Sequence, residues 1–220
     1  MDSSIADILV RSRHTILEIL NDRGYDTTPY NLISPDQILI LAEGNSRALD
    51  IVVNKKPDGN APCDKAVVIY QIQPQERIRL KLTTFLRDVY DVPPDNSTAN
   101  LIKATDDLIV ILNEPYNEAF DKAAIQMWQN QKSRVTFFHI KQVVVNMSRH
   151  VLVPPHRKLT PEQAKVEIAR LRLTQKSQLP LIKHHDMQSR ILGLVPGDIV
   201  EVLRPSPTSG VNRVLRICAA

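Results

Sequence analysis

The segment from His150 to Ala220 contains three local signals in close succession, and together they allow few folds. Thr160-Pro161-Glu162-Gln163 combines a hydroxyl cap, a proline at the first helical position and an amide able to reach back, so it predicts a helix start. Val195-Pro196-Gly197-Asp198 has proline and glycine where a type II turn needs them. Strand patterns at Ile199–Arg204 and Arg213–Cys218 predict a hairpin, which is stable only with a helix or further strands packed on it.

A shorter helix and a loop complete this predicted unit. Asp186 can cap the helix and Gly193 can end it, while Pro205–Asn212 is predicted as the loop between the two strands. The sequence therefore predicts a small α+β domain over residues 146–220. We expect it to be separate from a larger domain over residues 1–145.

The first 145 residues alternate between helix-like and strand-like patterns. Helices are predicted from Ser3 to Gly24, along the apolar side formed by Ile78, Leu82, Phe85, Leu86 and Val89, and from about Tyr116 to Gln131. Runs rich in Ile and Val predict strands at Gln37–Ala42, Ala48–Asn54, Lys65–Ile72, Leu108–Asn113 and Val135–Ile140. This alternation indicates an α/β domain with at least partly parallel strand pairing.

Charge is divided unevenly between the two predicted domains. Residues 150–220 contain 11 Lys/Arg and 5 Asp/Glu, whereas residues 1–149 contain 17 Lys/Arg and 19 Asp/Glu. This asymmetry indicates different partners for the two domains, and a basic surface suits either nucleic acid or an acidic protein surface. No stretch approaches the roughly 18 to 20 consecutive apolar residues of a membrane span, so no membrane partner is expected.

The histidines of the C-terminal segment invite a zinc interpretation that their surroundings do not favour. Zinc sites combine histidine with cysteine or carboxylate at short fixed spacings, and no cysteine lies near His150, His156, His184 or His185. We expect buried or capping histidines instead. The sequence predicts no metal site and no cofactor.

The order of a helix, then Asp50 on a strand, then a second strand is similar to that of restriction-endonuclease-like folds. Those enzymes hold a divalent metal with an aspartate on one strand and Glu-x-Lys on the next. Here the second strand ends Tyr70-Gln71-Ile72-Gln73, and neutral amides do not supply the anionic oxygens that a hard cation needs. We therefore expect Asp50 to be a solvated or strand-end residue, and predict this fold without a catalytic site.

One predicted helix combines cations with aromatic residues, as nucleic-acid-binding surfaces do. The favoured interpretation is that its cations form a solvated face while Phe85 lies in the core. The residues concerned are Arg77, Arg79, Lys81, Arg87, Phe85 and Tyr90.

The C-terminal segment also contains an ordered series of motifs: HxLVPxH, QLPxI, Dx3RxxG and PGDxVxxxRxSxTxG, followed by a closing strand. This series resembles the family formed by the fifth subunit that the nuclear RNA polymerases share and its counterpart in archaeal RNA polymerase. Two departures stand in the last hairpin. The family's SxTAG is Ser206-Pro207-Thr208-Ser209-Gly210 here, and its terminal tyrosine-arginine is Leu215-Arg216.

The resemblance is thinner in the first two-thirds of the chain. Arg13-His14-Thr15-Ile16-Leu17 and Asn21-Asp22-Arg23-Gly24-Tyr25 resemble the first helix of the eukaryotic subunit. The archaeal counterpart lacks this domain, so the resemblance implies a eukaryotic-type chain or one from a large DNA virus with its own polymerase. The implied location is the nucleus for a cellular chain, and the virion or the infected-cell nucleus or cytoplasm for a viral one.

The resemblance implies a non-catalytic subunit of a multisubunit DNA-directed RNA polymerase. The N-terminal domain would form part of the jaw near downstream DNA, which it would contact without sequence preference if at all. The C-terminal domain would dock on the largest subunit, and no small-molecule substrate is implied. The residues that match the family motif are His150, Pro154, His156, Gln178, Leu179, Pro180, Asp186, Arg190, Gly193, Gly197, Asp198, Arg204, Ser206, Thr208, Gly210 and Arg216.

Two alternatives stay open at this point. One is a metal-dependent nucleic-acid-processing enzyme of nuclease ancestry. The other is a transcription accessory factor that uses the same assembly module without being a permanent polymerase subunit. Metal-dependent cleavage and the stoichiometry of co-purification distinguish these alternatives from a resident subunit.

Overall fold

The computed structural model describes residues 3–43, 47–72, 78–91, 102–208 and 210–220. The backbone divides into two units, Met1–Val145 and Asn146–Ala220, and each unit is built around a four-stranded sheet. The first unit contains helices α1 Ser3–Asp22, α2 Pro35–Glu43, α3 Leu82–Asp91 and α4 Glu118–Gln131, and strands β1 Ile51–Asn54, β2 Lys65–Gln71, β3 Asp107–Leu112 and β4 Arg134–His139. Short 3-10 helices occur at Thr28–Tyr30, Ile78–Lys81 and Ile140–Val143.

The first sheet has the order β1-β2-β3-β4. β1 is antiparallel to β2, and β2, β3 and β4 are parallel, which confirms the predicted partly parallel α/β arrangement. Every residue of β3 is buried, as expected for a parallel strand covered on both faces. Apolar residues of α3 and α4 share one buried cluster with Val67, Ile69, Val110 and Phe137. On the other face, the Arg13 guanidinium of α1 lies 6.0 Å from the centre of the Tyr70 ring.

A buried ion pair joins the end of α1 to the start of β3. Arg23 Nη1 lies 2.7 Å from Asp107 Oδ2, and the two side chains are 2% and 1% exposed. The Tyr25 hydroxyl donates to the same carboxylate oxygen at 3.3 Å. Since a buried charge is tolerated only when it is paired and hydrogen-bonded, this contact fixes α1 on the sheet.

The predicted strand at Gln37–Ala42 is wrong, because these residues lie in helix α2. Ser34 and Gln37 form a reciprocal cap: Gln37 N–H donates to Ser34 Oγ at 3.3 Å, and Ser34 N–H donates to Gln37 Oε1 at 3.0 Å. Pro35 occupies the first helical position. The local cap therefore determines the structure of an Ile/Leu run whose composition alone suited a strand.

The second unit contains strands β5 His156–Lys158, β6 Leu181–Lys183, β7 Ile199–Ser206 and β8 Gly210–Ala219, and helices α5 Pro161–Arg170 and α6 Met187–Ile191. The sheet order is β5-β7-β8-β6; β6 and β8 are parallel, and the other pairs are antiparallel. One buried cluster joins α5 to Ile199 and Leu215, and a second contains Ile182, Leu194, Val200 and Cys218. The sheet therefore has apolar contacts on both faces.

The hairpin differs from its prediction in one respect. β7 continues to Ser206 and β8 begins at Gly210, so most of the predicted loop at Pro205–Asn212 is strand. Pro205 is tolerated because Pro205 and Val211 form a non-hydrogen-bonded pair. In such a pair neither backbone N–H points toward the other strand, so the ladder does not need a donor from proline. The helix pattern after Thr160 predicts burial of Leu171 together with Ala164 and Ile168, and for Leu171 this is wrong: it follows α5 and is 42% exposed.

None of the described helices combines the length and the apolar character that crossing a membrane requires.

Candidate functional site

Four motif residues of the C-terminal unit form its helix ends and its tight turn. The Asp186 side chain caps α6 by accepting from Gln188 N–H at 2.8 Å, and Gly193 ends this segment with φ +60°. Gly197 has φ +95°, a conformation that glycine adopts without strain. Asp198 Oδ2 accepts from Val195 N–H at 3.0 Å, so this carboxylate closes the turn. The predicted cap, helix end and turn are confirmed.

The first motif, His150 to His156, forms a closed turn that leads into β5. Val153 N–H donates to His150 O at 2.9 Å, and Leu152 N–H donates to His150 Nδ1 at 3.2 Å. His156 donates from Nδ1 to Pro154 O at 2.6 Å. Both histidines therefore organise backbone, in agreement with the predicted capping role.

The second motif positions strand β6 beside β8. Gln178 Oε1 accepts from the N–H groups of Thr174 and Gln175, at 3.0 and 3.3 Å, and closes the preceding loop. Leu179 is buried in the cluster beneath α5. Pro180 O accepts from Ile217 N–H at 2.9 Å. These three residues have structural roles inside the unit.

The remaining motif residues divide between interior and surface. Arg190 is buried on α6, and Arg216 is half-buried with Nη1 donating to Leu181 O at 3.3 Å. Arg204 is exposed on β7. The end of the hairpin carries Ser206, Thr208 and Gly210; the two hydroxyls lie 3.3 Å apart, Gly210 has φ +70°, and Ser209 lies outside the described residues.

A charged network that the sequence did not reveal crosses the same sheet. The Glu201 carboxylate is only 6% exposed and accepts from Arg157 Nε at 2.9 Å and from Arg213 Nε. Arg213 Nη1 also bonds Glu167 Oε1 at 2.9 Å, and Glu167 pairs with Arg170 at 2.8 Å. The hydrogen bonds from Arg170 and Arg213 hold the pKa of Glu167 below its usual range.

This network changes the distribution of the net positive charge. Lys158 also forms an ion pair with Asp198 at 2.6 Å, so several cations of the segment are balanced within it. Arg204 has no ion pair among the described residues. A partner surface therefore meets a smaller set of uncompensated cations than the composition indicates.

The nuclease-like position of the N-terminal unit contains an aspartate bound to backbone. Asp50 precedes β1, and its Oδ1 accepts from Tyr70 N–H at 3.3 Å. Burial raises the pKa of Asp50 to about 6, although Tyr70 N–H, Arg47 and Arg13 act in the opposite direction. Asp50 is half-buried, so the prediction of a solvated residue is wrong and that of a strand-end residue is right. Gln73 lies outside the described residues.

Metal-binding side chains do not converge here or elsewhere in the described part of the chain. No group of three or more His, Cys, Asp or Glu residues is placed to hold a metal ion within those residues.

Asp50→Asn is expected to stabilise the N-terminal unit at neutral pH. Because the folded-state pKa of Asp50 is raised, its contribution to stability is complete below about pH 4 and is lost as the pH rises through about 6. Asparagine imitates the protonated acid, so urea unfolding should show a gain of about 1–2 kcal/mol at pH 7.5 and almost none at pH 4. Asp64→Asn, at an exposed position, is the control. An equal effect of Asp50→Asn at both pH values would contradict this explanation.

The helix with cations and aromatic residues has its rings directed inward. Phe85 and Tyr90 are half-buried against the core cluster, whereas Arg79, Lys81 and Arg87 are exposed. This arrangement agrees with the interpretation of a solvated basic face. Arg77 lies outside the described residues.

Comparison with known proteins identifies the C-terminal unit. The family described as RNA polymerase Rpb5, C-terminal domain, matches residues 145–218. DNA-directed RNA polymerase subunit Rpo5 of Pyrococcus abyssi is 46% identical over 72 residues, which cover 33% of this chain and 87% of that protein. The Rpo5 chain of Pyrococcus horikoshii is 43% identical over the same length and the same shares.

A eukaryotic relative extends through both units. The subunit rpabc1 of DNA-directed RNA polymerases I, II and III of Dictyostelium discoideum is 28% identical over 210 residues, which cover 96% of each chain. The two archaeal proteins match a third of this chain, whereas the slime-mould protein also aligns with the N-terminal unit. The chain therefore belongs to the Rpb5 family of RNA polymerase subunits.

Proposed function

We propose that this chain is a non-catalytic subunit of a multisubunit DNA-directed RNA polymerase, and that Asn146–Ala220 docks on the largest subunit. The observation that carries the proposal is the coverage of the archaeal relatives. A third of this chain aligns with 87% of a protein that is itself named as a polymerase subunit. Because this unit corresponds to nearly the whole archaeal subunit, we expect it to attach the longer chain to the polymerase.

The motif residues support this docking role in two ways. Those that cap helices and close turns keep the unit rigid, which lowers the entropy lost on binding. Arg204 and the end of the hairpin remain exposed, and arginine binds carboxylates through a planar fork. The proposed interface is therefore the exposed part of the motif, supported by its buried part.

The N-terminal unit is proposed to be a restriction-endonuclease-like jaw element near downstream DNA, without a catalytic site. The order of α1, Asp50, β1 and β2 suits this fold, and the exposed cations Arg79, Lys81 and Arg87, in α3 and the 3-10 helix before it, suit contact with phosphates. Such contacts would not depend on DNA sequence. The corresponding location is the nucleus for a cellular chain; for a viral chain it is the virion or the infected cell's nucleus or cytoplasm.

Purified full-length protein is expected to leave duplex and single-stranded DNA intact in Mg²⁺ or Mn²⁺. Asp50 is bound to Tyr70 N–H, and the neighbouring positions of β2 supply an amide and a phenol rather than anionic ligands. Gel electrophoresis after prolonged incubation measures this. Cleavage that disappears in Asp50→Asn would establish the nuclease alternative instead.

Quantitative co-purification tests the subunit assignment. Tagged full-length chain should recover the polymerase of its own source at one copy per enzyme, and the complex should survive gel filtration at high salt. A fraction well below one copy, or release during gel filtration, would identify an accessory factor.

A further inference from the structure

The sheet of the C-terminal unit leaves one stretch of strand edge open. β8 spans Gly210–Ala219 but pairs with β6 only over Ile217–Ala219. From Val211 to Leu215 it has β7 on one side and no described strand on the other.

The hydrogen-bond pattern identifies which groups face that open side. Cys218 N–H donates to Asp198 O at 2.8 Å, so Cys218 and every second residue before it bond β7. Ile217 N–H donates the other way, to Pro180 O at 2.9 Å on the β6 side. By this alternation, outward-facing backbone N–H and C=O groups belong to Val211, Arg213 and Leu215.

The other edge of the hairpin is protected. Leu203 N–H donates to Pro155 O at 3.0 Å beside β5, and the next outward-facing residue of β7 is Pro205, which has no N–H to offer. Val211, opposite Pro205, has a backbone N–H that can donate to a further strand, and valine is a residue type that favours β-strands. Proteins usually blunt unpaired edges because these recruit other strands. Protection of one edge only points to a partner for the other.

Side chains around the open edge define the segment that fits it. One face of the hairpin end carries three exposed apolar side chains, Leu203, Pro205 and Val211, the last 64% exposed. Arg213, opposite Leu203 on this face, has its guanidinium bonded to Glu201 and Glu167. The opposite face carries Arg204 and, four pairs further along the ladder, the half-buried Arg216. Because side chains of a strand alternate between faces, a segment of alternating apolar and acidic residues is complementary to both.

We propose that an extended segment of the largest polymerase subunit adds to this sheet as a strand beside β8. Its apolar side chains would lie on the face of Leu203 and Val211, and its acidic side chains on the face of Arg204 and Arg216. Backbone hydrogen bonds to Val211 and Arg213 give affinity, and the alternating side chains give selectivity. The inference rests on the proposed function, because it specifies how that partner binds.

Val211→Pro tests the backbone pairing directly. The substitution removes an outward N–H that makes no hydrogen bond to β7, so it keeps the ladder of the hairpin. Val211→Ala keeps the donor and trims the side chain, which makes it the matched control. With the largest subunit of the same polymerase as the probe, we expect Val211→Pro in the full-length chain to weaken binding at least about tenfold. We expect Val211→Ala to weaken it less than about threefold. Equal losses in the two variants would overturn the proposal.

Backbone hydrogen exchange of the unsubstituted chain gives a second readout, which decides the matter even if Val211→Pro fails to fold. In the complex, exchange at Val211 and Arg213 should slow by at least about tenfold, while Asn212, already bonded to β7, changes little. Binding without protection at Val211 overturns the strand addition and leaves the subunit assignment intact. No complex at all overturns both. Self-association of the free chain that Val211→Pro abolishes would identify a second copy as the occupant and also contradict the proposal.

Discussion

Asp107→Ala is expected to destabilise the N-terminal unit by about 3–5 kcal/mol, because it leaves the Arg23 guanidinium buried without its carboxylate. The Arg23 and Asp107 side chains are 2% and 1% exposed, so water does not replace the lost partner. The Tyr25 hydroxyl loses its acceptor in the same variant. Chemical denaturation followed by tryptophan fluorescence isolates the effect, since the single tryptophan, Trp128, lies in α4 of this unit.

The matched control is an ion pair of the same chemistry in water. Arg11 and Asp7 are one turn apart on α1, 3.5 Å from each other and more than half exposed. Exposed pairs contribute about 0.2–1 kcal/mol, so Asp7→Ala should change the free energy of unfolding by less than about 1 kcal/mol. Similar small values for both variants would mean that Arg23 finds water or another acceptor, and that the buried pair does not anchor α1.

Structure that depends on neighbouring residues could be predicted from the sequence. Thr160 and Gln163 form the reciprocal cap that their spacing predicts, with bonds of 3.2 and 3.3 Å. The same signature stands at Ser34-Pro35-Asp36-Gln37, ahead of an Ile/Leu run whose composition predicted a strand. Capping hydrogen bonds satisfy helix donors wherever they occur, whereas an apolar run of eight or fewer residues suits either element. The cap was therefore the better signal in both places.

Interactions between distant residues could not be predicted. Glu201 lies in a strand, and its arginine partners are 44 and 12 positions away, on β5 and β8. Only the strand register brings them to one carboxylate. Glu201 lies on the same face of β7 as the buried Ile199, and a glutamate in line with a buried apolar position was the available hint that a cation lies opposite.

The motif residues show why a family resemblance does not by itself define an interface. Gln178, Asp186 and Asp198 each satisfy backbone donors of their own unit. Changing them would alter the fold before it altered a contact. Tests of binding therefore belong to exposed residues, of which Arg204 is the clearest in the motif.

Deletion of residues 1–145 is expected to leave binding to the largest polymerase subunit within about threefold of the full-length value, while deletion of 146–220 should abolish it. Asn146–Ala220 has its own sheet with apolar contacts on both faces, so the fragment should melt cooperatively, with a stability on the order of a few kcal/mol. The archaeal relatives, which align with this unit over 87% of their length, lead to the same expectation.

Arg204→Ala in the full-length chain distinguishes specific docking from general attraction. If Arg204 meets a carboxylate that loses its water in the complex, the substitution should weaken binding by about 2–5 kcal/mol and mainly raise the dissociation rate. Lys165→Ala removes one exposed cation from α5 and should act only through net charge, with a loss that disappears at high salt. Retention of residues 1–145 on the largest subunit without residues 146–220 would show that the anchor lies in the N-terminal unit. If Arg204→Ala and Lys165→Ala lost the same binding affinity, and both losses disappeared at high salt, Arg204 would make no defined contact. The basic C-terminal surface would then act only through long-range electrostatic attraction.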